Sequence, residues 1–340
     1  MPLVTMRQLL DEAAAGNYGV AAFNVNNMEQ IQGIMEAAQE TQSPVIIQAS
    51  RGARSYAGDR FLYHLMLAAA ETYPEIPVAL HQDHGNSPET CISAIELGFT
   101  SVMMDGSLAE DGKTPLDFED NVAVTKKVVD YAHERGVTVE GELGTLGGME
   151  DGVGSGEIHL TDPEQAEEFV ARTGVDALAV AIGTSHGAYK FSREPDGDIL
   201  AMEIIEDIHR RLPDTHIVMH GSSSVPADVV QRVKDAGGEV DAGFGVPISA
   251  ILRGIEHGVR KVNIDTDGRL AITAFMREHY RDKPGDWDPR GPGKAARAGQ
   301  KFICMQRMQE LGMAGHAQDY TPMTLEEMAA RYAAAVGSPA

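Results

Sequence analysis

Cysteine is scarce in this 340-residue chain: it has two, Cys91 and Cys304, and they form no C-x-x-C pair. No disulfide framework or cysteine metal cluster can be built from them, and a reduced, cytoplasmic protein is expected. Long apolar runs are missing too. Nothing approaches the roughly 20 residues that a membrane helix needs. Met1-Pro2-Leu3-Val4-Thr5-Met6-Arg7 has neither the charged nor the apolar region of a secretory leader. Positive charge is short, with 28 Lys and Arg against 51 Asp and Glu, for a net charge of −23. Neither nucleic acid nor an anionic membrane surface is expected as a partner. Any anionic substrate must be held by local donors against a repelling field. The chain also lacks an interdomain linker and a fixed-period repeat, so a solenoid is disfavoured.

What is present is a repeated unit: a short apolar or β-branched run, a loop, then a helical period. The strand candidates are Val20–Val25, Pro44–Ser50, Val78–His84, Ser101–Asp105, Thr138–Gly144, Asp176–Gly183, His216–Gly221 and Val259–Asp265. Helical stretches between them include Met28–Thr41, Pro88–Leu97, Phe118–Arg135, Pro163–Arg172, Ile199–Leu212 and Ala227–Ala236. A further helix over 5–15 precedes the first strand, with Thr5 as N-cap and Gly16-Asn17 as its stop. Nearly continuous hydrophobic strands, each followed by a helix, predict an α/β protein of the (β/α)8 TIM barrel type. An open doubly wound sheet would need two edge strands, and no polar, proline-marked strand is available to serve as one. Residues 1–340 read as a single barrel domain, with 266–340 as a helical C-terminal extension. Asp282–Lys294, rich in Pro, Gly and Asp, is expected to be an exposed loop.

Polar residues gather at the C-terminal ends of these strands. They are Asn24, Ser50, Asp83 and His84, Asp105, Glu140 and Glu142, His186, His220, and then Asn263, Asp265 and Thr266. In a barrel those ends form one rim, where ligands sit. His84, His186 and His220 are each followed by glycine, which allows a sharp turn and a close approach to a ligand. Three imidazoles from three strands match a catalytic zinc site with one open position. Each alone reads better as a hydrogen-bonded rim residue; three in corresponding places favour a metal. His81 shares parity with Asp83 and is expected one layer deeper. Asp83 has two open readings: a proton carrier at the reacting centre, or a partner that orients a histidine. Glu140 and Glu142 share parity, and two inward carboxylates need compensation. A cation beside Asp105 and Glu142, an ion pair with Lys261, or solvent exposure at the barrel mouth would supply it.

Residues 144–156 are dominated by glycine and carry Glu150. Such a segment cannot pack a core, and it reads either as a plain flexible loop or as a lid that brings a carboxylate to substrate on closure. For phosphate, the candidates are the amides of Gly187 and of Gly221-Ser222-Ser223, with the hydroxyls of Ser50, Ser223 and Thr266.

Taken together, Asp83-His84-Gly85, Met104-Asp105-Gly106-Ser107, Glu142-Leu143-Gly144, Gly147-Gly148-Met149-Glu150-Asp151-Gly152, Gly183-Thr184-Ser185-His186-Gly187, His220-Gly221-Ser222 and Asn263-Ile264-Asp265-Thr266 make a recognisable set. The chain resembles the class II, metal-dependent fructose-1,6-bisphosphate aldolases, in particular their Calvin-cycle-type branch, from the first strand to the eighth. The resemblance implies a zinc-dependent lyase that reversibly cleaves fructose 1,6-bisphosphate to dihydroxyacetone phosphate and glyceraldehyde 3-phosphate through a metal-stabilised enediolate. It implies Zn²⁺ on His84, His186 and His220, with Asp105 and Glu142 belonging either to a second divalent position or to an alternative site of a mobile zinc. Asp83 would be the acid/base at the aldehyde-derived oxygen, and Glu150 would exchange the proton on the dihydroxyacetone phosphate carbon. Asn24 and Asn263 would contact substrate. Ser50, Gly187, Gly221, Ser223, Asp265 and Thr266 would bind the phosphorylated ends, with a monovalent cation (K⁺ or Na⁺) near Gly187 and Gly221. Asp288-Pro289-Arg290 looks like the family segment whose arginine reaches a phosphate across a subunit boundary, which implies a homodimer or homotetramer. This chain has Gly221-Ser222-Ser223 where many relatives have Gly-Gly-Ser, and Gln82 where many have Thr. Sedoheptulose 1,7-bisphosphate and tagatose 1,6-bisphosphate stand as alternative substrates. A metal-dependent hydrolase, a Schiff-base aldolase using Lys261 and a non-catalytic phosphosugar-binding protein are the competing functions.

Overall fold

The computed structural model describes residues 3–145, 159–185, 200–240 and 244–336. Its strands are β1 (Val20–Asn24), β2 (Val45–Ser50), β3 (Val78–Gly85), β4 (Ser101–Met104), β5 (Thr138–Leu143), β6 (Ala177–Val180), β7 (His216–Met219) and β8 (Val259–Ile264). They pair in parallel in sequence order, and β8 closes onto β1, giving the expected barrel. Before, between and after them run α1 (Met6–Gly16), α2 (Met28–Thr41), α3 (Arg51–Ala57), α4 (Asp59–Thr72), α5 (Pro88–Leu97), α6 (Phe118–His133), α7 (Pro163–Thr173), α8 (Met202–Arg211), α9 (Ala227–Asp235), α10 (Ile248–Glu256), α11 (Thr266–Asp282), α12 (Arg290–Glu310) and α13 (Leu325–Val336).

Local chemistry explains most boundaries. Thr5, Asn27, Ser87, Asp117 and Asp162 each occupy an N-cap and accept from a backbone N–H of the first turn. Pro88 and Pro163 follow two of those caps, where a missing N–H costs nothing. Asn17 ends α1 in the left-handed conformation, with φ 53°. Helix α1 then plugs the N-terminal end of the barrel: the Arg7 amide donates to Thr138 Oγ1 at 2.9 Å, and His216 Nε2 lies 2.8 Å from Asp11 Oδ1.

One expectation is corrected. Asp282–Lys294 is not a continuous loop: α11 runs to Asp282 and α12 begins at Arg290, leaving 283–289 between helices. Its prolines mislead because Pro289 is the N-cap and Pro292 lies in the first turn, where proline fits a helix.

Alternation along the strands sorts the barrel interior into layers. Gln48 is in register with His81, and Ser50 with Asp83, one layer nearer the rim. On adjacent strands farther round the barrel, Met103 is in register with Glu140, and Val218 with Lys261. Barrel interiors are usually filled by branched apolar side chains. Here the layer beneath the rim is polar and fully buried: His81, Ser101, Glu140 and Lys261 each have 0% exposure.

Candidate active site

The rim above that layer is built from the ends of β3, β5 and β8, the residue following β4 and the turn after β7. His84, Asp105, Glu142 and His220 are all buried. Two overlapping sets, Asp83–His84–His220 and His84–Asp105–Glu142, each bring one ligand atom per residue within 4.8 Å of the others. His84 Nδ1 lies 2.9 Å from Asp105 Oδ2, whose other oxygen accepts from Ser107 Oγ at 2.6 Å. His220 Nε2 lies 2.7 Å from Glu140 Oε1. The remaining nitrogens, His84 Nε2 and His220 Nδ1, face each other at 3.0 Å. His220 Nδ1 also lies 3.2 Å from Asn263 Nδ2. Where each ring commits its N–H to a carboxylate, the two facing nitrogens present lone pairs, and a proton or a cation between them relieves the repulsion.

His84 holds a φ of 46°, a conformation rare outside glycine. The following Gly85 is required by close packing. A Cβ there would sit 2.5 Å from Cys91 Sγ and 2.7 Å from Met103 O. Gly221 does make a tight turn, with φ 60°, and a Cβ on it would meet Ser185 O at 2.7 Å.

The electrostatics call for positive charge. Burial and the neighbouring Asp105 push the Glu142 carboxyl well above its ordinary range, and Glu142 Oε2 is buried without a hydrogen-bond partner among the described residues. Burial opposes charge on His84, but Asp83, Asp105 and Glu142 outweigh it and hold its pKa up at about 10. Burial likewise opposes ionisation of Asp83, yet His84, Lys261, His220 and an Asn24 hydrogen bond bring it down to about 2. A carboxylate-rich pocket that draws in a proton, with an unsatisfied buried oxygen and two facing imidazole nitrogens, fits a divalent cation.

Asp83 is held from both sides. Asn24 Nδ2 donates to its Oδ2 at 2.9 Å, and Asn263 Nδ2 to its Oδ1 at 3.2 Å. Gln48 fixes Asn24 in turn, donating from Nε2 to Asn24 Oδ1 at 2.7 Å. On the outer side of β3, Gln82 donates to the Asp83 carbonyl at 2.8 Å and accepts from buried Arg54 at 2.6 Å. Beneath the site, Glu140 is compensated by Lys261, with Nζ 2.8 Å from Oε2. That ion pair and complete burial disfavour Lys261 as a Schiff-base nucleophile. His81 sits in the same layer, its Nδ1 2.8 Å from Ser101 Oγ, as its parity predicts.

The remaining sequence candidates divide. Ser50 Oγ caps α3 by accepting from Ala53 N at 3.1 Å. Ser223 is buried in the turn after β7, and Thr266 opens α11. Asp265 is bound by Arg269 at 2.8 and 2.6 Å, a cation at the rim that sequence reading missed although an i, i+4 spacing from an aspartate could have flagged it. The structure does not bring Arg290 into the cluster; its exposed guanidinium binds Asp288. His186, Gly187 and Glu150 lie outside the described residues. Glu140 as the partner of His220 also escaped the sequence, because β5 and the end of β7 are not neighbours in the sheet; Gln48 as the support of Asn24 escaped it because that contact depends on the register of β1 against β2.

Comparison with known proteins agrees with this geometry. Residues 4–316 match the family model for class-II fructose-bisphosphate aldolase. A fructose-bisphosphate aldolase of Nostoc commune is 58% identical, over 98% of this chain and 96% of its own. The class 2 fructose-bisphosphate aldolase of a Synechocystis strain is also 58% identical with the same coverage. Among solved structures, the YdjI aldolase of Escherichia coli superposes with a TM-score of 0.74 at 30% identity, covering 93% of this chain and 100% of its own. By fold, site and sequence, the chain belongs to the class-II fructose-bisphosphate aldolase family.

Proposed function

We propose that this protein is a zinc-dependent aldolase that reversibly cleaves fructose 1,6-bisphosphate to dihydroxyacetone phosphate and glyceraldehyde 3-phosphate. The observation that carries the reading is the pairing of His84 and His220, each with one nitrogen held by a carboxylate and the other aimed at a shared point. Class-II aldolases depend on a metal. His84 and His220 would hold zinc together with His186, and zinc bound there supplies Lewis-acid polarisation of the substrate ketone. Asp105 and Glu142 would hold a second divalent ion, and Gly187 and Gly221 would contribute to a site for a monovalent cation.

Asp83 carries the proton at the carbon chain's cleavage point. Clamped by two amide donors, its carboxylate is oriented to accept the hydroxyl proton in cleavage and to return it in synthesis. Asn263, beside both Asp83 and His220, is placed to bind the negative charge that develops at the carbonyl oxygen. Glu150 exchanges the proton on the dihydroxyacetone phosphate carbon. Asn24 contacts the substrate, and Ser50, Gly187, Gly221, Ser223, Asp265 and Thr266 receive its phosphorylated ends. Arg290 reaches a phosphate of the neighbouring subunit in a homodimer or homotetramer. The reaction takes place in the cytoplasm.

The test is steady-state cleavage of fructose 1,6-bisphosphate, sedoheptulose 1,7-bisphosphate and tagatose 1,6-bisphosphate in one assay, before and after chelation. Turnover highest on the fructose ester, lost with chelator and restored by zinc, is expected. Undiminished turnover in a metal-free preparation, or hydrolysis to the sugar without carbon–carbon cleavage, would overturn the reading.

A further inference from the structure

The turn after β7, which carries Gly221 and Ser223, is tied to the body of the protein through consecutive backbone groups. The Ser223 carbonyl accepts from Val246 N at 3.0 Å. The Ser224 amide donates to Asp267 Oδ1 at 3.0 Å. The Ser224 carbonyl accepts from the Arg307 guanidinium, and Arg307 Nε donates to Asp267 Oδ2 at 2.7 Å. Thus one buried ion pair grips both polar groups of a single residue. Asp267 stands in the first turn of α11, next to Thr266, whereas Arg307 comes from α12, far along the C-terminal extension. Asp267 is 0% and Arg307 2% exposed.

We propose that Arg307 and Asp267 are positioning residues that lock the turn at 221–224 to the N-terminus of α11, so that the two elements present one preformed phosphate-binding surface. This rests on the aldolase reading for the identity of the ligand, but not for the clamp itself. Burying an ion pair costs desolvation free energy that its own attraction often fails to recover. Apolar residues would hold the helices together at least as well, so the pair is better explained by what it orients. The guanidinium fork offers the planar set of donors needed to join a carboxylate and a carbonyl at once; a lysine ammonium does not. Ser223 and Thr266 sit one residue before the clamped Ser224 and one before Asp267, so loosening the clamp moves both ligand-facing segments.

The experiment uses the full-length, zinc-loaded enzyme and Arg307→Met. The expected result is a KM for fructose 1,6-bisphosphate and an inhibition constant for inorganic phosphate that rise together by about tenfold or more. The kcat should change far less. Amide hydrogen exchange of 221–226 should quicken selectively. A merely structural role would lower stability without moving KM and phosphate affinity in parallel. If Arg307→Met does not fold, the double variant Asp267→Asn with Arg307→Gln, which keeps hydrogen-bonding groups without charge, is read in the same way. Folded variants with unchanged phosphate inhibition and unchanged exchange at 221–226 overturn the clamp. Failure of the wild-type enzyme to bind phosphate or cleave the ester would instead strike the aldolase reading, and the exchange measurement would still decide the clamp.

Discussion

His84 Nε2 and His220 Nδ1 stand 3.0 Å apart, and neither ring can turn away, because Asp105 holds the first and Glu140 the second. This arrangement predicts a large effect of metal on stability. An ion that binds the folded state alone, at a free concentration a thousandfold above its dissociation constant, contributes about 4 kcal/mol. Chelation should therefore lower the thermal midpoint by several degrees, and zinc should restore it. Calorimetric scans with and without chelator check this. Identical scans would mean that the facing nitrogens share a proton rather than a metal.

The Glu140–Lys261 pair predicts a separable pattern. Glu140→Gln leaves a weaker acceptor for His220 Nε2–H, and loss of such a supporting carboxylate typically reduces metal affinity by about 10- to 100-fold. Lys261→Met strands a buried carboxylate and should destabilise the fold by about 3–5 kcal/mol. The double variant should recover most of that stability and none of the metal affinity. Chelator competition and urea denaturation measure the two quantities. Metal affinity that tracks stability through all three variants would show that Glu140 has no orienting role.

Much of this architecture was legible in the sequence because its signals are local. The caps at Asn27, Ser87, Asp117 and Asp162, with Pro88 and Pro163 behind two of them, mark helix starts without reference to any distant residue. The polar ends of apolar strands marked the rim, and period-two parity placed His81 correctly below Asp83. What did not show was pairing across the barrel. Lys261 could have compensated either glutamate in principle. Only the closed sheet brings β8 opposite β5 at the depth of Glu140, leaving Glu142 with Asp105. Residues 51–72 form α3 and α4, broken at Gly58 with φ 85°, and the first of these is too short to display a helical period.

Asp83 supports a prediction that separates chemistry from binding. In Asp83→Asn the two amide donors at 2.9 and 3.2 Å lose their charged acceptor, and no group remains to move the hydroxyl proton. The expected kcat falls by about 10²–10⁴-fold, with zinc content unchanged by elemental analysis. Proton exchange on dihydroxyacetone phosphate should persist, because that step is assigned to Glu150. Loss of zinc in this variant would place Asp83 among the ligands, as its proximity to His84 and His220 would allow.

At the opposite end of the barrel, Asp11 predicts acid sensitivity. Its carboxylate meets His216 Nε2 at 2.8 Å, Arg7 Nε at 2.8 Å and Arg331 at 2.6 Å, joining α1, β7 and α13. Burial opposes its charge, but the His216 hydrogen bond and the two arginines prevail and bring its pKa down to about 2. A carboxylate depressed in the folded state adds stability above its unfolded value, near 3.9, and loses it as pH falls through its folded value. Burial also lowers the pKa of His216, so this ring is stable as the neutral donor, and its contribution erodes as pH falls below its ordinary 6.5. Both effects therefore have the same sign, and unfolding should ease steadily from pH 7 toward pH 3. Asp11→Asn should cost about 1–2 kcal/mol at pH 7 and progressively less in acid, giving a flatter profile of urea midpoint against pH. Profiles that stay parallel over that range would show that Asp11 is paired equally well in the unfolded chain, and that α1 is held at the barrel floor by packing alone.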